Sequence, residues 1–414
     1  MAESYQFIFI FLLILTTTVE YYLGQRQKKF VLKNKEKVPA AFTKVIKLTD
    51  HKKAADYTVT KINFNSIELV FGAIILYFLT LGGGINLMNN AMGQYFENPL
   101  LNGAVVITSI FIALHLINIP SAIYQTFVIE AKYDFNKITP KLFLIDQIKS
   151  IFVVMIPLTA IISFSALWIL SELGTNWWVW LWIFLSIFSI AGVALAPVLK
   201  QLFNKYTPLK DKNLKKNIEK LLKRCGFESS GLFEMNGSLR STHGNAFFGG
   251  FGKTKRIIFF DTLLEKLNTK EIEAVIAHEL GHFKRNHVKK LLFIQITLIF
   301  FSLYFFSGLK DTQAFYNGLG IEALSDVNFL MLFTLVLLPF VMFFVGPFIS
   351  GLQRKYEFEA DEYACEFAKP TDLKQSLIKL YRDNASTLTP DPVYSAFYHS
   401  HPPASIRIQA IDKS

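Results

Sequence analysis

Seven stretches of the chain stay apolar without alternation for the roughly 20 residues that a helix needs to cross a bilayer. They are residues 5–23, 66–84, 101–124, 151–173, 177–198, 291–309 and 328–350. Only Glu20 and His115 place an ionisable side chain well inside any of them. Between these runs the pattern changes. Residues 211–224 carry Leu214, Ile218, Leu221 and Leu222 at helical spacing, whereas 245–248 and 256–260 read as two short strands around a turn holding Gly249, Gly250 and Gly252. Thr262 and Glu265 stand at capping-box spacing and predict a helix over 262–267. Residues 271–290 are helical again, with Asn268 or Thr269 placed to cap, Glu271 in the first turn, and Ile272, Val275, Ile276, Leu280 and Phe283 on one face. Lys289 and Lys290 then predict that this helix runs on toward the sixth span. Residues 24–65, charged and weakly periodic, read as a solvated loop; 125–149, mixing aromatic and charged residues, read as an ordered element near the membrane.

Composition supports a membrane protein. Of 414 residues, 52% are hydrophobic and 15% aromatic, with 41 Phe and a mean hydropathy of +0.34, too apolar for an ordinary soluble enzyme. The net charge of +11 does not indicate nucleic acid, because the positives lie between the apolar runs. By the positive-inside rule the Lys-rich segments 24–65, 125–150, 200–290 and 351–414 are cytoplasmic, while 85–99, 172–177 and 310–327 face outward. With seven spans this puts the N-terminus outside or in a lumen and the C-terminus in the cytoplasm. The first span lacks a basic leader and a small-x-small site and does not read as a cleavable signal. Cys225 and Cys365 have no CxxC spacing, which argues against a disulfide framework or a thiolate metal site. The predicted organisation is a membrane domain over 1–198, a first half of a soluble unit over 199–290, two further spans over 291–350 and a second half over 351–414.

The chemistry sits in HELGH, residues 278–282. Residues four apart share a helix face, so the imidazoles of His278 and His282 can converge on one metal ion. Glu279, one step round, can take a proton from an attacking water, which is the HExxH pattern of a zinc peptidase. Ala274, Ala277 and Gly281 leave that side open, and a glycine in a helix interior, costing about 1 kcal/mol against Ala, points to close approach by another element. A catalytic zinc takes three protein ligands. Spacing leaves the third open among Glu357, Glu359, Asp361, Glu362 and Glu366; Glu357 and Asp361 are one helical step of four apart. His399 and His401, with Pro402, Pro403 and Arg407, form a polar cluster that could stabilise an oxyanion.

An ordered set of longer motifs resembles the CAAX prenyl protease 1 family of integral-membrane zinc metallopeptidases. It comprises TFVIEAKYDFNKITP (126–140), LFNKYTPL (202–209), RSTHGNAFFGGFGKTKRIIFFDTLL (240–264), HELGHFKRNH (278–287), RKYEFEAD (354–361) and YSAFYHSHPPASIRIQAI (394–411). The resemblance implies a mainly α, polytopic fold: seven transmembrane helices around a large intramembrane chamber, with a cytoplasmic zincin-like α+β metallopeptidase domain. It implies one Zn2+ held by His278, His282 and Glu357, with Glu279 as the base. Asp361 would be a further site carboxylate and His399 a group for the tetrahedral intermediate. Asn245 and Ala246 would lie on an edge strand that takes substrate as an added strand. The partners implied are the lipid bilayer and a peptide or protein substrate, prenylated at a C-terminal CAAX cysteine, with no nucleic acid. Such a protein resides in the inner membrane of a prokaryote or the endoplasmic reticulum of a eukaryote. The alternative is a membrane-protein quality-control zinc protease with no prenyl requirement. A heat-shock membrane protease would have fewer spans, a site-2 protease would bury HExxH in an apolar helix, and a seven-span transporter or receptor would leave HELGH and EFEAD unexplained.

Overall fold

A computed structural model describes residues 1–93, 95–249 and 255–413; Gly250 and Gly252 of the expected turn lie outside them. Each apolar run falls on one long helical stretch: Ala2–Lys33, Leu48–Leu79, Pro99–Glu130, Pro140–Glu172, Gly174–Gln201, His287–Leu309 and Asp326–Phe367. Most overshoot their apolar cores, because the Lys, Arg, Gln and Glu that flank them favour helix almost as well as Leu. The second stops at Leu79, short of residue 84, where Gly82 to Gly84 follow and Gly83 adopts φ 77°. Ile107, Ile110, Leu167, Leu170, Phe329 and Met331 are buried where the third, fourth and seventh helices meet. Outward, Phe71, Phe78, Phe293, Phe301, Phe305 and Phe348 are exposed, a surface suited to lipid rather than water.

The solvated loop expected over 24–65 is not what forms. The first helix continues to Lys33 and the second begins at Leu48. Between them Val38, Phe42 and Ile46 are buried against Ile378, Leu388, Ala404 and Ile408 near the C-terminus. The three stand four apart, a helical step, but are too few to mark a buried face within so charged a stretch; they are nonetheless enough to dock the segment.

Among the described residues four strands follow the fifth span: β1 (Tyr206–Pro208), β2 (Gly231–Met235), β3 (Ala246–Gly249) and β4 (Arg256–Phe260), ordered β1-β2-β4-β3. β3 and β4 are the two expected strands and pair antiparallel, Ala246 opposite Phe259. β2 runs parallel to β4. β1 and β2 escape the sequence pattern because one is three residues ending in proline, tolerated only at an edge, and the other has no clean alternation. β3 forms the other edge of the sheet. The capping box expected at Thr262 does not form either: the helix there is Asp261–Lys266, and the Thr262 hydroxyl donates to the His243 carbonyl at 2.8 Å.

The helix Thr269–Lys284 lies between this sheet and the polar C-terminal extension of the seventh span helix. Its capping box is complete: Asn268 Oδ1 accepts from the backbone N–H of Lys270 and Glu271, and Glu271 Oε2 accepts from Asn268 N at 2.8 Å. Ile272, Ile276 and Leu280 are buried as their spacing predicts, Val275 and Phe283 partly so. The helix does not run on into the sixth span. It ends at Lys284, Asn286 takes a left-handed φ of 57°, and a new helix starts at His287.

Candidate metal centre and active-site cavity

Gly281 is where two elements meet. A Cβ built on it would lie 2.9 Å from Ala360 Cα and 3.1 Å from Ala360 O, so only glycine lets the seventh-span extension come this close. That approach delivers Glu357 to the histidines. His278 Nε2 and His282 Nε2 face each other at 3.1 Å, Glu357 Oε1 is 3.2 Å from His282 Nε2, and Glu357 Oε2 is 3.5 Å from His278 Nε2. Among the described residues these three are the group able to hold a metal ion, their ligand atoms all within 4.8 Å of one another.

The residues fit such an ion. Glu357 is 5% exposed and its Oε2 accepts no hydrogen bond; Arg407 Nη1 lies 3.1 Å away as an ion pair without hydrogen-bond alignment. A buried carboxylate oxygen in this state lacks a partner on the side facing the imidazoles. Two imidazole nitrogens and one carboxylate oxygen form the donor set of a catalytic site with one position open to water.

Asp361, one turn beyond Glu357, is withdrawn from the cavity. Its Oδ1 is 2.9 Å from His278 Nδ1, and Arg407 binds both its oxygens, at 2.7 and 2.8 Å. A carboxylate that accepts from His278 leaves the Nδ1 proton in place and the Nε2 lone pair free. Arg407 is 4% exposed and touches both carboxylates. Burial works against its charge, but Asp361 and Glu357 hold its pKa above the ordinary guanidinium value.

Glu279 faces a cavity of about 800 Å³. His278, Glu357, Asn245, Ala246, His399 and His401 share its wall, and the far side is built by Gln27, Tyr57 and Lys61 from the first two span helices. Enclosure pushes the Glu279 carboxyl above the usual range, the neighbouring imidazoles opposing. Asn245 precedes β3 at the open sheet edge, where its Oδ1 accepts from Ala246 N at 2.8 Å. His399 Nδ1 lies 3.2 Å from Ser395 Oγ, while His401 Nε2 lies 3.3 Å from Glu357 Oε1. Of the two histidines that the sequence could not separate, His401 is the one whose ring reaches the ligand cluster. Burial, with Arg354 and His401 nearby, lowers the His399 pKa.

The sequence offered Arg407 only as a member of the cluster that could stabilise an oxyanion, whereas the structure commits its guanidinium to Asp361 and Glu357; the wall contributed by the first two spans was not singled out. The signal for Arg407 was its place in the motif with His399 and His401. Tyr57 and His243 line the cavity; behind them the Tyr57 hydroxyl donates to Glu130 at 2.6 Å and His243 stacks on Phe135, contacts between distant stretches of the chain that no local pattern predicts.

A pair of imidazoles, a facing glutamate and a neighbouring carboxylate at the mouth of a seven-helix membrane bundle define an integral-membrane metallopeptidase. Residues 208–414 match peptidase family M48, and residues 27–205 match the CAAX prenyl protease N-terminal region of five membrane helices. The chain is 32% identical to a CAAX prenyl protease 1 homolog of Arabidopsis thaliana, over 91% of this chain and 90% of that one. It is 37% identical to the CAAX prenyl protease 1 of Saccharomyces cerevisiae, over 72% and 69% of the two chains. The crystal structure of S. mikatae Ste24p superposes with a TM-score of 0.92 at 28% identity, covering 99% of both chains. The chain belongs to the CAAX prenyl protease 1 family of M48 metallopeptidases. It is a multi-pass membrane hydrolase that depends on a metal cofactor.

Proposed function

We propose that the protein is a zinc endopeptidase that trims CAAX-type C-termini, cutting after a prenylated cysteine to release the last three residues. The observation that carries this reading is the cluster of His278, His282 and Glu357, with Glu279 beside it, in the wall of a cavity shared with the span helices. Such a place admits both a peptide and a lipid. Relatives that bear the name CAAX prenyl protease 1 support the substrate class.

In this reading His278, His282 and Glu357 hold the ion. When bound, zinc supplies Lewis-acid polarisation of the peptide carbonyl and makes water more acidic. Glu279 takes the proton of the attacking water and passes it to the departing amine, so one water adds across the broken bond. Asn245 and Ala246 receive the substrate backbone along the open edge of β3, where the local Asn245–Ala246 bond is the one displaced. Asp361 acts through His278, whose ring it orients, rather than as a proton donor, since His278 and Arg407 already occupy its oxygens. The oxyanion role expected of His399 passes to His401, whose Nε2 lies beside the ligand cluster. Residues 199–290 and 351–414 together make the protease unit, and 1–198 with 291–350 the membrane domain.

Matched peptides ending in CAAX, one farnesylated and one bare, test the substrate class with purified protein. Strong preference for the farnesylated peptide is expected. Equal cleavage would remove the prenyl requirement and leave a general membrane-protein protease. Orientation follows the lysine-rich loops, with the protease unit cytoplasmic. A membrane-impermeant thiol reagent on the outer or lumenal side of sealed vesicles is expected to label Tyr95→Cys and spare Lys44→Cys. The opposite pattern would invert the topology.

A further inference from the structure

His278 is held from behind by a carboxylate, but among the described residues no carboxylate touches the outer nitrogen of His282. In its place stands a second imidazole: His282 Nδ1 is 2.9 Å from His287 Nδ1. His287 Nε2 in turn lies 3.1 Å from Glu359 Oε2. His287 is 2% exposed and stacks on Tyr356 with ring centroids 4.1 Å apart and planes 6° from parallel.

Backbone geometry makes this contact. On an unbroken helix a residue five positions on is rotated by roughly 140° from its starting face, so His287 would point away from His282. The left-handed residue Asn286, between the end of one helix and the start of the next, turns the chain back under the ligand. Asn is among the few residues that accept this conformation without large strain.

From these contacts we propose that His287 and Glu359 are a positioning pair for His282, fixing the tautomer in which its Nε2 lone pair faces the metal site. Each step follows from the one before. A carboxylate only accepts, so the Glu359 contact places a proton on His287 Nε2. A neutral His287 then has Nδ1 as acceptor, so His282 Nδ1 is the donor in their contact. That leaves His282 Nε2 unprotonated, aimed at the same point as His278 Nε2 and Glu357 Oε1. Both ligand histidines thus end on a carboxylate, His278 directly on Asp361 and His282 through one intervening ring. Neither His287 nor Glu359 needs to touch substrate.

This inference rests on the zinc reading, and the test separates the two. Zinc affinity is measured on the purified full-length chain by competition with a chelating indicator, alongside the melting temperature of the metal-free protein. Wild type is expected to bind one zinc. His287→Phe, which keeps a ring to stack on Tyr356 but removes both nitrogens, and Glu359→Ala are each expected to weaken zinc about 10- to 100-fold. His287→Gln, whose amide oxygen can accept from His282, is expected to recover part of that loss. The metal-free melting temperature of Glu359→Ala is expected to stay near wild type. Unchanged affinity in both His287→Phe and Glu359→Ala overturns the proposal, as does a loss that only follows a lowered metal-free melting temperature. A wild-type chain that binds no zinc would instead overturn the zinc reading, and this proposal with it.

Discussion

Glu279→Gln is expected to keep its metal and lose about 10²- to 10⁴-fold in turnover, the span that general acid–base catalysis typically contributes. The side chain stands one step round the helix from His278 and opens on the cavity, so it reaches the reacting water without being spent on the ion. Enclosure lifts its pKa, which brings the carboxylate closer to the range where it can both take a proton and return it. An amide of the same shape fills the same space and can do neither. Metal content measured beside single-turnover cleavage separates the two functions. Wild-type cleavage by the metal-loaded variant would remove Glu279 from the mechanism.

Glu357→Ala is expected to release the metal. Its oxygens are the only carboxylate atoms facing both Nε2 atoms among the described residues, at 3.2 and 3.5 Å. Losing a direct ligand should cost more than the roughly 10- to 100-fold that follows loss of an outer partner. The fold should survive, because Arg407 keeps its two-pronged contact with Asp361 and is not left as an unpaired buried charge. Zinc content after dialysis against a mild chelator reads the result, and full occupancy would sink the ligand assignment.

The parts of this protein legible in its sequence are those set by short-range repetition. Seven apolar runs, the four-residue step between His278 and His282, the cap at Asn268 and the small face ending in Gly281 each express a helix period or a local hydrogen bond. The third ligand was not legible by spacing, because Glu357 reaches the histidines through a helix crossing that Gly281 and Ala360 permit. Nor could spacing divide His399 from His401, two residues apart in a segment with no repeat. The docking of Val38, Phe42 and Ile46 was hidden for a different reason. Their partners at Ile378, Leu388, Ala404 and Ile408 lie at the other end of the chain. His287 was masked by a backbone turn: helical arithmetic carried past Asn286 sends it to the wrong face.

The same long reach governs when the enzyme comes into being. Arg407, which braces both Asp361 and Glu357, lies 129 residues after His278 and 46 after Asp361. A ribosome that has released HELGH has still to make two membrane helices and most of the polar segment after them before this guanidinium appears. Until then Glu357 and Asp361 would be neighbouring carboxylates with no cation from Arg407 between them, and the seat for the metal would be unbraced. The nascent chain thus threads both of these helices into the bilayer before the guanidinium that braces the metal seat has been made.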